Sequence, residues 1–179
     1  MAETPSAQIW IARALFVALA LGIMFIQLLP LNLEPGGWAP PDLLLAVTMV
    51  WVARRPDFAP FYVIFLIYLL ADLLFQRPPG LWAGLVLILT EVLRARAQGI
   101  RNMPLMLEWG TIAVGLVAIT LANRIVLAIV MVPQAPLGLT LIQMVMTIAV
   151  YPLVAVLAQV LFGVTRPAPG AVDRLGHRL

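Results

Sequence analysis

The sequence predicts an all-α membrane protein with six transmembrane helices and both termini in the cytoplasm. Three observations support this fold class. Of the 179 residues, 63% are hydrophobic and only 11% are charged, whereas soluble domains are about 45–50% apolar and about 25% charged. The apolar residues form six segments with short connections, and the arginines are concentrated in alternate connections. Such an asymmetry is typical of a multi-pass protein that obeys the positive-inside rule.

The first apolar segment, Ile9–Leu29, is expected to be a retained span. It provides the roughly 20 apolar residues that a bilayer core about 30 Å thick requires, interrupted only by Arg13 and Gln27. A cleaved signal peptide would have a shorter apolar region followed by a soluble domain, and neither feature is present.

The next three segments differ in length. The second, Leu43–Ala53, extends only about 16 Å as a helix, and the fourth, Leu81–Leu93, is also short. The third, Phe58–Phe75, follows Asp57, which can cap a helix, and it tolerates Pro60 in its first turn.

The last two segments are long. Leu105–Val132 can tilt in the bilayer, and Leu139–Val164 contains Pro152, which we expect to kink it. We therefore expect a single six-helix transmembrane domain over residues 1–164 and a flexible, basic cytoplasmic tail over residues 165–179.

The two short segments leave one alternative, which is four spans with two re-entrant hairpins. Six spans place nine of the eleven arginines on the cytoplasmic side: Arg13, Arg54, Arg55, Arg94, Arg96, Arg101, Arg166, Arg174 and Arg178. A re-entrant second segment would move Arg54 and Arg55 to the side of the arginine-free loop 30–41 and weaken this asymmetry. The positive-inside rule therefore favours six spans.

The residue types present argue against most catalytic chemistry. The chain has no Cys, and its single His, His177, is third from the end, so thiolate or histidine metal sites, haem ligation and a Ser–His pair are not expected. The basic pI of about 10.2 does not indicate nucleic-acid binding, because no basic cluster lies on a polar surface that could follow phosphates. We expect no enzymatic activity, no metal and no cofactor.

Three charged residues, Asp42, Asp72 and Arg124, are placed by the six-span topology in the outer half of the membrane. Intramembrane charges are costly and are therefore candidates for function. We hypothesise that Arg124 pairs with Asp72 or Asp42 and fixes helix packing, since paired charges satisfy each other. The alternative is a polar site, open to the outside, that binds a small molecule or an ion.

Other residues near the segment ends are interpreted as interfacial. Glu91 lies three residues before Arg94, which favours a headgroup-zone ion pair, and Glu108 suits the first turn of the fifth helix. All five tryptophans lie near segment ends and are typical of interfacial anchors: Trp10, Trp38, Trp51, Trp82 and Trp109.

The fifth segment also contains small residues on one face, with spacings of four, three and four: Thr111, Gly115, Ala118 and Ala122. Small residues allow helices to approach closely in lipid. This face is either an internal packing contact, which is the commoner case, or a stripe that binds a partner helix.

Several short motifs follow one another along the chain in an order similar to that of a known protein family. Pro41-Asp42-Leu43-Leu44-Leu45 is followed by Trp51 and Arg54-Arg55-Pro56, then by Asp72-Leu73-Leu74 and Pro79-Gly80-Leu81 with Ala83. This order, the six apolar segments and the short tails resemble the rod-shape-determining protein MreD family over nearly the whole chain. The third segment has Val63-Ile64-Phe65-Leu66-Ile67-Tyr68 where that family often has a Gly.

The resemblance implies a non-enzymatic, multi-pass protein of the bacterial inner membrane that acts in rod shape and peptidoglycan synthesis. It implies MreC as a direct partner, and MreB filaments, a penicillin-binding transpeptidase and RodA in a larger complex. It also implies a bundle similar to the S-components of vitamin importers, although fold does not determine function. Membrane lipids are expected partners too. The arginine-rich loop 94–102 is expected to contact either a filament or, as the commoner case, anionic lipid.

Two other functions compete with this scaffold. One is the substrate-binding membrane subunit of a small-molecule (vitamin-type) transporter, in which Asp72 and Arg124 would line an outward pocket. The other is a membrane enzyme such as an intramembrane protease or an acyltransferase. It is the weakest alternative, because a reactive residue pair would be needed within the spans and His177 lies in the tail.

Overall fold

The computed structural model describes residues 5–29, 38–96, 105–162 and 164. Within these ranges the chain forms six helices, one 3-10 turn and no strand, which confirms the all-α class. The expected tail, residues 165–179 with His177, lies outside the described residues. The elements are α1 (Pro5–Leu28), α2 (Leu43–Arg54), the 3-10 turn (Pro56–Phe58), α3 (Phe61–Leu74), α4 (Leu81–Ala95), α5 (Leu105–Ile129) and α6 (Leu137–Phe162).

Three of these helices are long and apolar enough to cross a membrane. The spanning stretches contain 22 residues in α1, 25 in α5 and 26 in α6, so they extend about 33–39 Å against a hydrocarbon core of about 30 Å. Large apolar side chains on their outer faces, such as Phe25, Ile125 and Val160, are exposed. This combination of length and apolar surface is that of a membrane protein.

The shortest helix, α2, is the centre of the bundle. Every residue from Leu44 to Arg54 is buried, because α1, α4, α6 and the 3-10 turn pack around it. A helix that is apolar on all faces belongs in an interior. Its 12 residues extend only about 18 Å, which is shorter than a hydrocarbon core of about 30 Å, and its neighbours are protein helices on all sides.

Consecutive helices run in alternating directions, which brings several arginines to one end of the bundle. Arg13 in α1 donates a hydrogen bond from Nε to the carbonyl of Asp57 at 3.0 Å. Arg94 in α4 donates to the carbonyls of Pro56 and Ala59, each at 2.8 Å. We call this end, defined by Arg13, Arg54, Arg55 and Arg94, the arginine end.

Trp51 lies in the core, so the interfacial role that we predicted for it is wrong. It is buried in α2, with ring centroids 6.1 Å from Phe16 of α1 and 5.7 Å from Phe162 of α6. Such tilted aromatic pairs stabilise the packing beyond their buried area. The position of Trp51 near a segment end was misleading, because the segment itself is enclosed by the others.

The third helix begins later than predicted, at Phe61, and Pro60 precedes it in an extended conformation. Residues Pro56–Phe58 form the separate 3-10 turn. Asp57 therefore does not cap α3. The two prolines explain the break, because proline lacks an amide hydrogen and disfavours a helical conformation in the residue before it.

The small-residue face of α5 makes a close contact at Gly115. A Cβ atom at this position would lie 2.5 Å from Cδ1 of Leu89 in α4, so any larger residue requires the Leu89 side chain to shift. The buried positions of α5 are the adjacent row Glu108, Ile112, Leu116 and Ile119. Thr111 and Ala122 are half-buried and Ala118 is exposed.

We expect Gly115→Val to lower the melting temperature of the detergent-purified protein, because the new side chain forces Leu89 to move. Overpacking of this kind costs about 1–3 kcal/mol. Gly110→Val is the matched control, since a Cβ there meets nothing within 4 Å. Heating followed by size-exclusion chromatography gives the measurement, and equal melting temperatures for the two variants would contradict the contact.

Candidate functional site

A cavity of about 330 Å³ lies at the end of the bundle opposite the arginine end. It is bounded by the start of α2, the turn between α3 and α4, the last turns of α5 and the first half of α6. Because α5 and α6 continue beyond the start of α2, α2 does not fill the space between them and the α3–α4 turn. We call this side of the bundle the cavity end.

The cavity is lined by polar side chains to an extent unusual for so apolar a chain. One carboxylate, two guanidinium groups, amides and hydroxyls converge there, together with apolar residues such as Leu116. The polar lining residues are Asp42, Gln76, Arg77, Thr120, Asn123, Arg124, Gln134, Thr140, Gln143 and Thr147. Since polar groups cost free energy within a membrane unless they have partners, this concentration marks the candidate site.

Asp42 fixes the start of α2. Its Oδ1 accepts a hydrogen bond from the backbone N–H of Leu45 at 2.9 Å, which is the usual geometry of a helix N-cap. The N–H of Asp42 itself donates to Oγ1 of Thr147 in α6, also at 2.9 Å. Asp42 thus ties α2 to α6 and lines the cavity at the same time.

Arg124 has different partners from those we predicted. Its Nη1 donates to Oγ1 of Thr140 at 2.8 Å and to the carbonyl of Ala135 at 3.2 Å. The predicted pairing with Asp72 or Asp42 is therefore wrong. The turn between α5 and α6 brings neutral acceptors directly to the guanidinium, whereas Asp42 and Arg124 line one cavity without forming an ion pair.

Asp72 caps the start of α4 and forms no ion pair with Arg124. It is fully buried, and its Oδ2 accepts hydrogen bonds from the N–H groups of Gly80 at 3.0 Å and Ala83 at 3.2 Å. It therefore caps α4 from the neighbouring helix. Gly80 has φ 86°, a backbone conformation that glycine adopts without strain. Arg77, in the same turn, attracts both Asp72 and Asp42 electrostatically.

The structure thus separates the predicted site residues. Asp42 and Arg124 line the cavity, and Asp72 supports its wall by holding the α3–α4 turn against α4. The predicted packing face lies elsewhere, because none of Thr111, Gly115, Ala118 and Ala122 lines the cavity. Within the described residues, no cluster of three or more Asp, Glu, His or Cys side chains could hold a metal ion.

A buried polar cluster at the arginine end was missed by the sequence analysis. Arg54 and Glu108 are 4% and 1% exposed and lie 3.4 Å apart, Nε to Oε1. Tyr151 donates its hydroxyl to the same Oε1 at 2.6 Å, and Nη1 of Arg54 donates to the carbonyl of Ala155 at 3.0 Å. The cluster joins α2, α5 and α6.

One signal could have identified this cluster. Glu108 begins the row 108, 112, 116 and 119 on α5, whose other members are large and apolar, so it lies on the face that packs against other helices. Its place in the first turn suggested an interfacial role, but a helix can begin inside the protein. By contrast, the predicted surface pair is confirmed, since Nε of Arg94 lies 3.0 Å from Oε1 of Glu91.

The chain matches no family model, no curated protein and no solved structure with which it was compared.

Loss of one partner from the buried cluster should destabilise the protein strongly. We expect Glu108→Leu or Arg54→Met alone to cost about 3–5 kcal/mol, because each leaves a buried charge uncompensated. The double variant should be more stable than either single variant. Glu91→Gln is the control at the exposed pair and should change stability by less than about 1 kcal/mol.

Thermal unfolding of the four detergent-purified variants measures this cycle. Additive losses in the double variant would show that the two side chains do not interact, because independent sites add.

Proposed function

We propose that this protein is a non-enzymatic scaffold of the bacterial cell-elongation machinery, located in the inner membrane. It binds MreC directly and helps to couple MreB filaments to a penicillin-binding transpeptidase and RodA. In this proposal the six helices all cross the membrane, and both termini and the arginine end lie in the cytoplasm.

The observation that carries the proposal is the structural role of the motifs that resemble the MreD family. Asp42 caps α2, Asp72 caps α4, and Gly80 supplies the left-handed residue at the start of α4. All three belong to the motifs quoted above and lie at or beside the cavity end. If the chain shares the fold of the MreD family, residues that fix helix starts in this way are expected in both.

The direction of the helices supports the proposed topology. Each helix runs opposite to the one before it, so the starts of α1, α3 and α5 lie at the arginine end and those of α2, α4 and α6 lie at the cavity end. Arg13, Arg54, Arg55 and Arg94 then lie on one side of the bilayer, as the positive-inside rule favours for the cytoplasm.

The outer surface supports a role in binding transmembrane helices. Large apolar side chains such as Phe25, Leu66 and Ile88 are exposed along it, and Ala118 presents a small side chain on α5. In lipid, helices associate by close packing at small residues. An exposed small residue flanked by apolar side chains is therefore suited to contact with the transmembrane helix of MreC.

The cavity favours a second function, the substrate-binding subunit of a small-molecule importer. Its volume of about 330 Å³ falls within the range of small-molecule sites, and its convergent polar groups could orient a ligand. The two functions predict different partners, which makes them separable by experiment.

Affinity purification of the tagged protein from detergent-solubilised membranes tests the choice. We expect mass spectrometry to recover MreC with the cell-wall synthases, and depletion of the protein to make rod-shaped cells round. A multi-pass protein expressed at the same level is the control. Recovery of ATPase subunits or of a bound vitamin, without MreC, would overturn the scaffold in favour of the importer.

The topology can be tested by labelling single introduced cysteines, because the chain has no Cys of its own that would react. We expect Met131→Cys, in the turn after α5 and 90% exposed, to react with a membrane-impermeant maleimide added to intact cells. Arg96→Cys, exposed at the end of α4, should react only after permeabilisation. The reverse pattern would invert the orientation, and equal labelling of both in intact cells would exclude six spans.

A further inference from the structure

The polar cavity adjoins a second, apolar cavity, an open groove on the hairpin that α5 and α6 form. The groove lies at the surface, since Leu121, Ile125 and Leu137 in its lining are each more than half exposed. Its apolar lining residues are Val117, Leu121, Ile125, Ala128, Leu137 and Leu141. The two cavities share five lining residues on α5, α6 and the turn between them: Thr120, Arg124, Gln134, Thr140 and Met144. A polar compartment and an apolar groove therefore meet at Arg124.

The lining of the polar compartment carries a net positive charge, because it contains two arginines, Arg77 and Arg124, and one carboxylate, Asp42. A second carboxylate, Asp72, lies behind the lining and is bonded to backbone N–H groups. Oδ1 of Asp42 is engaged by the N–H of Leu45, and Arg77 attracts both Asp42 and Asp72. Arg124 is bonded only to neutral oxygens, those of Thr140 and Ala135, so its charge is not balanced by a carboxylate of the described residues.

We propose that the two cavities together bind one acidic phospholipid. Its phosphate lies against Arg124, whose guanidinium forms strong, charge-assisted hydrogen bonds with phosphate oxygens. The amides of Asn123 and Gln143 and the carboxylate of Asp42 receive the hydroxyl groups of the headgroup. An acyl chain of this lipid lies in the apolar groove between α5 and α6, in contact with Leu121 and Leu141.

A lipid fits this arrangement better than a soluble metabolite does. A soluble polar ligand would fill the first cavity and leave the apolar groove unused, whereas an amphipathic ligand uses both at the residues that they share. Basic pockets between transmembrane helices bind acidic headgroups on the cytoplasmic side of other membrane proteins, and the same charge attraction acts at the cavity end. The proposal does not depend on the scaffold function, because it concerns lipid bound by the chain itself.

Native mass spectrometry of the full chain in detergent, with added phosphatidylglycerol or phosphatidylcholine, tests the headgroup site. We expect selective retention of phosphatidylglycerol, and Arg124→Gln should weaken it about tenfold or more, the usual consequence of losing a charge-assisted hydrogen bond. The matched control is Arg13→Gln, which removes an arginine at the other end of the molecule, where it donates to the carbonyl of Asp57, and should leave retention unchanged.

A second pair of variants tests the apolar groove and does not alter Arg124. Ala128→Phe fills the groove at an exposed position and should displace the acyl chain, which lowers phosphatidylglycerol retention. Ala118→Phe introduces the same side chain on the same helix, outside both cavities, and should have no effect. These two variants test whether an acyl chain lies in the groove even if Arg124→Gln does not fold.

Three outcomes would overturn the proposal. Equal retention of phosphatidylglycerol and phosphatidylcholine would show that the site does not recognise the acidic headgroup. Equal effects of Ala128→Phe and Ala118→Phe would show that no acyl chain lies in the groove. Binding of glycerol 3-phosphate that depends on Arg124, without selective lipid retention, would assign the cavity to a soluble phosphate compound.

Discussion

The buried ion pair between Arg54 and Glu108 is the interaction on which the arrangement of the bundle depends. A charge enclosed by apolar helices must meet its partner, because an unpaired charge would cost several kcal/mol. Arg54 ends α2 and Glu108 lies in the first turn of α5, while Tyr151 and the carbonyl of Ala155 bring α6 to the same point. Three helices from distant parts of the sequence are thereby held in one register at the arginine end.

The cavity at the other end follows from this register and from helix lengths. Glu108 and Arg124 are separated by about 24 Å along α5, whereas α2 extends only about 18 Å from Arg54. Once the arginine end is fixed, α5 and α6 project beyond the start of α2, and their polar residues face space that no other described helix fills. The ion pair at the arginine end thus sets the helix positions that leave the candidate binding site open at the cavity end.

Much of the fold could be read from the sequence, because apolar length is a local property. The six segments correspond to the six described helices, and their limits differ by no more than four residues. The later start of α3 has a physical cause, because Pro56 and Pro60 keep the chain from forming a helix before Phe61. The candidate site was predicted in part: Asp42 and Arg124 line one cavity, but the partners of Arg124 depend on the turn after α5 and not on depth in the membrane. The roles of Trp51 and Glu108 were predicted wrongly because both lie near segment ends, whereas in the structure neighbouring helices cover both side chains.

The sequence by itself determined that the chain is helical and apolar enough for a membrane, and where the described helices begin and end to within about four residues. Hydropathy and proline act over a few neighbouring residues, so they can be read in order along the chain. Only the tertiary structure decided which helix is central, which charges meet and where a cavity forms. A chain that is apolar on almost every helical face carries no periodic signal to distinguish lipid from protein as the neighbour, and the sparse polar side chains acquire their partners only when the helices pack.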